Sequence, residues 1–80
     1  MEINLSDKVQ VKGLIDDGIP CYYRCGFRYR GAEARPISPQ KALELLPIYS
    51  PGMGFYELCS EKVNGKDSLV FNEFSESDLF

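Results

Sequence analysis

Asn64-Gly65 separates two strand-like runs, FYELCSEKV and KDSLVFNEF. Both residues of the pair tolerate positive φ, the conformation that a two-residue type I′ hairpin turn demands. Such a turn fixes the register, so that position i faces position 129 − i. Phe55 then meets Phe74, Leu58 meets Phe71, Cys59 meets Val70, and Lys62 meets Asp67. Apolar side chains face apolar ones and opposite charges face each other, the agreement expected along a correctly paired ladder.

A second alternating run lies upstream. CYYRCGFRYR, residues 21–30, read at period two, sends Cys21, Tyr23, Cys25, Phe27 and Tyr29 to one side and Tyr22, Arg24, Arg28 and Arg30 to the other. Before it, residues 8–15 (KVQVKGLI) alternate over their first half and read as a strand, with Asp16-Asp17-Gly18 as turn chemistry and Pro20 as the entry to the next strand. Residues 21–30 are expected to return antiparallel to it. Ser38-Pro39 opens a helix, with serine as N-cap and proline at the first helical position. Its apolar stripe is Ala42, Leu43, Leu45 and Leu46, and Pro47 ends it. Residues 47–54 (PIYSPGMG) are a loop.

The resulting order is β-β-α-β-β. We expect an α+β fold: an antiparallel sheet of about four strands, made of two hairpins, with one short helix packed on one face. A chain of 80 residues forms one domain, placed here at residues 1–74, with a polar tail at residues 75–80. No apolar run approaches the roughly 20 residues that span a bilayer. The start, MEINLSDKVQ, has neither a basic nor an apolar leader region, so the expected location is the cytoplasm.

Chemistry is limited by what the sequence omits. It contains no histidine, so Ser-His-Asp and Cys-His arrangements are excluded, and no glycine run has phosphate-loop spacing. Three cysteines are an odd set for a disulfide framework, and Cys21 and Cys25 lie about 13 Å apart along a strand, too far to bridge. They are expected to be buried free thiols, with no metal and no cofactor. The chain is read as a non-enzyme.

The net charge of −3 is unevenly spread: residues 1–20 carry −2, residues 21–41 carry +4, and residues 42–80 carry −5. Tyr22, Arg24, Arg28, Arg30 and Arg35 are therefore the candidate partner-binding residues, since arginine and tyrosine supply much interface energy. The arginine row has three readings: a solvated sheet face, a grip on an acidic protein surface, or a track for phosphates. Against the last, single-strand binders set aromatics and cations on the same face, whereas this run separates them. The acidic second half reads either as ordinary surface or as a mimic of phosphates. At the tail, Asp78, Leu79 and Phe80 resemble the end of the short peptide with which bacterial proteins dock on the replication sliding clamp. Glu76 and Ser77 stand where that peptide has glutamine and leucine.

Residues 22–49 (YYRCGFRYRGAEARPISPQKALELLPIY) resemble the amino-terminal module of small proteins from Mu-like prophages. Arg24, Gly26, Phe27, Arg28 and Gly31 match an arginine-rich strand motif, and Ser38, Pro39, Gln40, Leu43, Leu46 and Pro47 match a short helix closed by proline. The tryptophan often found between the two parts is missing. The resemblance implies a phage or mobile-element origin. By analogy with other small cofactor-free phage proteins, it implies a blocker of host machinery of the anti-CRISPR kind. The expected function is thus a non-enzymatic protein-binding module that occupies a surface of a host or phage protein, alone or as a homodimer. The alternative is nucleic-acid binding through the basic strand face.

Overall fold

The computed structural model describes residues 3–27, 30–52 and 54–79, the side chains of Asp78 and Leu79 excepted. Its elements are α1 (Lys8–Asp16), β1 (Cys21–Cys25), β2 (Arg35–Ile37), α2 (Pro39–Leu45), β3 (Tyr56–Val63), β4 (Lys66–Glu73) and a single turn, α3 (Glu76–Leu79). The four strands form one sheet in the order β2-β1-β4-β3. The fold is α+β, as the sequence predicts.

The segment at residues 8–15 is a helix, which corrects the strand expected there. Asp7 caps it, its carboxylate accepting from the backbone N–H of Val9 and of Gln10 at 3.1 Å each. Val11 and Ile15, four apart, are both buried, whereas Val9 is 83% exposed. The spacing of four, not the Val9/Val11 alternation, is the one that meets the core. The Asp16-Asp17-Gly18 stretch stops this helix rather than turning a hairpin. Ile19 N–H bonds the Leu14 carbonyl and Gly18 N–H the Ile15 carbonyl, with Gly18 at φ +95°, the Schellman arrangement that glycine favours.

With no strand before it, β1 finds other neighbours. It pairs antiparallel with β2 (Cys21↔Ile37, Tyr23↔Arg35) and parallel with β4 (Cys21↔Leu69, Cys25↔Glu73). The sheet is therefore mixed, not wholly antiparallel. β1 ends at Cys25, because Gly26 takes φ +102°, so the expected strand over residues 21–30 is cut to half its length. Pro36 lies in the edge strand, where a missing N–H weakens the sheet least.

The β3–β4 hairpin and α2 follow the sequence closely. Asn64 and Gly65 both have positive φ, 53° and 79°, and the pairing runs from Tyr56↔Glu73 to Val63↔Lys66 in the predicted register. Ser38 caps α2, its hydroxyl accepting from Lys41 N–H at 3.1 Å. Both long helices cover one face of the sheet, where Val11, Ile15, Ala42, Leu46, Tyr49, Leu58, Leu69 and Phe71 form the core. Among the described residues no helix is long and apolar enough to cross a membrane.

Candidate binding surfaces

Strand alternation sends Arg24 to the face opposite the helices, as predicted, but that face is covered. The connector after β1 folds back across it: the Phe27 ring sits 4.5 Å from that of Phe74, and Ala32 and Ala34 share a small cavity with Arg24 and Glu61. Arg24 is only 6% exposed. Its Nη1 and Nη2 donate to the two Glu61 oxygens at 3.0 and 2.6 Å, and its Nε donates to Asn72 Oδ1 at 2.5 Å. Asn72 Nδ2 in turn donates to the Gly26 carbonyl at 3.0 Å, which ties the network to the covering connector. A bidentate arginine–carboxylate pair removed from water holds β1 to β3 across β4. Arg24 is a structural residue.

Of the other predicted arginines, Arg30 and Arg35 do not extend a row from it. Arg28 lies outside the described residues. Arg30 follows the strand in a turn, exposed, with its guanidinium carbon 5.6 Å from the Phe27 ring centroid. Arg35 pairs across from Tyr23, which puts it on the helix-bearing side of the sheet, away from Arg24. Tyr22 is half-buried beside Pro36 and Val70. For the tail, Phe80 and the side chains of Asp78 and Leu79 lie outside what the structure describes.

Two cavities of about 470 Å³ adjoin along the β1–β2 edge and share Tyr23 and Arg35 as walls. The first is lined by Cys25 and Glu33 as well, the second by Ile37, Lys41, Leu45, Tyr49 and Glu73. The Tyr23 pKa is raised by burial first, then by Glu73 and Cys25 through charge and hydrogen bonding. Tyr49 is pushed up to about 12, chiefly by burial. Both phenols are neutral donors at ordinary pH. Cys21 is buried and its thiol is raised to about 11 by burial. Cys59 reaches about 12 through burial and its hydrogen bond to Glu57 Oε1 at 2.9 Å. Cys25 is exposed, contrary to the expectation of a buried thiol.

A third surface follows from the helical conformation of residues 8–16. α1 and α2 bound an apolar cleft of about 370 Å³, lined by Val9, Leu43, Leu46 and Pro47 with Lys8 and Lys12. Lys8 braces its wall, donating from Nζ to the Leu46 carbonyl at 2.7 Å and to the Tyr49 carbonyl. A cation on the carbonyl of Leu46, the C-cap of α2, also suits that helix's dipole. Lys12 bonds Asp16 at 2.8 Å in an exposed i, i+4 pair. The signal for this cleft was present in Val9, which falls off the Val11/Ile15 stripe once the segment is read at helical period. Comparison of the chain with family models, with curated proteins and with solved structures finds no match.

Proposed function

We propose that this chain is a non-enzymatic protein-binding module that acts by occupying a surface of another protein. The observation that carries the reading is the apolar cleft between α1 and α2, with Val9 at 83% exposure on its rim. At about 370 Å³ it stands at the small end of the roughly 300–1,000 Å³ range of binding clefts. That volume suits the anchoring side chains of one short amphipathic segment better than a second folded copy. The polar lining is Lys8 and Lys12, so the matching segment carries an acidic residue beside its apolar anchors. The exposed Lys12–Asp16 pair contributes only about 0.3–0.5 kcal/mol and opens readily toward such a partner. The wall itself is fixed by Lys8, which lowers the ordering cost of binding.

The resemblance of residues 22–49 to small proteins of Mu-like prophages supports a phage or mobile-element origin. With it comes the reading of the partner as host machinery, blocked in the manner of an anti-CRISPR protein in the host cytoplasm. Exposed Arg30, Arg35 and Lys41, within the basic third of the sequence, favour nucleic acid as the second reading; buried Arg24 does not contribute to it. Affinity capture from bacterial lysate, with and without nuclease and with Val9→Asp beside the parent chain, tests both. The expected result is a partner that survives nuclease and is lost with Val9→Asp. Loss of every partner on nuclease treatment, with Val9→Asp binding like the parent, overturns the proposal in favour of nucleic acid.

A further inference from the structure

The second β1–β2 edge cavity has a composition the cleft lacks. Its floor is apolar, made by Ile37, Leu45 and the ring of Tyr49, and two cations, Arg35 and Lys41, stand on its lining. The Arg35 side chain is exposed and forms no hydrogen bond or ion pair among the described residues. Among the described residues the Lys41 ammonium is held only by Glu44 on its own helix, at 3.8 Å in an exposed pair. Among the described residues one carboxylate, Glu73, lines this cavity, together with the Tyr23 phenol. Glu33 lines the neighbouring cavity instead.

An unengaged guanidinium presents a planar fork of donors, the geometry that takes a carboxylate through two parallel bonds. Beside it, an apolar floor offers burial to a ring or short alkyl chain. We propose that this cavity binds a small amphiphilic carboxylate, its acid group on the Arg35 guanidinium with Lys41 adding charge, and its apolar body against Ile37, Leu45 and Tyr49. Tyr23 and Glu73 complete the lining. This site lies apart from the α1–α2 cleft and does not rest on the protein-binding reading.

The test is a titration of the isotope-labelled full chain with 3-phenylpropionate, followed by amide resonances. Saturable shifts are expected at Tyr23, Ile37, Leu45 and Tyr49. The neutral analogue 3-phenylpropanol should bind at least about tenfold more weakly, and Arg35→Gln should weaken the acid by about the same factor, the loss typical of a charged hydrogen bond. Lys62→Gln removes the same charge from β3, at the opposite edge of the sheet, and should change nothing. Arg35 is exposed and unpaired, so its replacement should leave the amide spectrum of the free chain folded; Lys41→Gln is the second variant and should give a smaller loss. No saturable shift up to about 10 mM acid, a concentration that detects even millimolar affinity, overturns the proposal. So does equal binding of acid and alcohol, equal weakening by Lys62→Gln, or shifts confined to Val9 and Leu43.

Discussion

Arg24 shows how far a single residue's role depends on what covers it. Alternation along β1 places its side chain correctly, yet the solvent expected there is displaced by a connector that no local pattern predicts. Desolvation makes the pair with Glu61 strong in one sense only: removing one partner strands a buried charge. Glu61→Ala is expected to destabilise the fold by about 3–5 kcal/mol, whereas the double replacement Arg24→Met, Glu61→Leu should recover most of that loss. Urea unfolding of the parent, single and double variants measures both. The thiols and phenols carry a pH prediction. Folded-state values near 11 for Cys21 and 12 for Cys59 lie above the ordinary 9.0, so the native state holds its protons longer than the unfolded chain. Their contribution is complete below about pH 9 and is lost as pH rises toward 12. The urea midpoint should fall across that window, and Cys59→Ala should flatten the fall.

Among the elements, those written in adjacent residues were the legible ones. The β3–β4 hairpin needs only Asn64-Gly65 and matched side chains, and α2 needs only Ser38-Pro39 and its leucines. In α1, Val9 and Val11 mimic a strand over four residues, while the stronger marks are helical: Asp7 as cap, Val11 and Ile15 four apart, and Asp16-Asp17-Gly18 as a stop. Asp7→Ala should cost about 1 kcal/mol, seen as a lower thermal midpoint together with earlier hydrogen exchange at Val9 and Gln10. The same mimicry conceals the cleft, since a strand would turn Val9 inward. Of the candidate residues, Arg35 alone was both proposed from sequence and found lining a cavity with a free guanidinium. Lys41, Tyr23 and Leu45 belonged to that cavity without any sequence signal, being joined only by the meeting of β1, β2 and α2.

At the scale of the whole molecule, β4 is the strand on which the rest is assembled. Leu69, Val70, Phe71 and Asn72 are all fully buried, a run covered on both faces by the helices and by the returning connector. Phe71→Ala should cost about 3–5 kcal/mol, which is much of the roughly 4–12 kcal/mol available to a domain of this size. Loss of the cooperative thermal transition is the expected readout. The sequence could not reveal that β1 docks parallel on this strand, because nothing local joins residues 21–25 to residues 69–73. That pairing also sets a timetable during synthesis on the ribosome. Residues 21–37 hold the β1–β2 half of the sheet, and the strand that completes its centre is made only with residues 66–73. Pairing across so long a stretch of chain is intrinsically slow, and the unpaired edge of β1 is exposed to other chains until the hairpin docks.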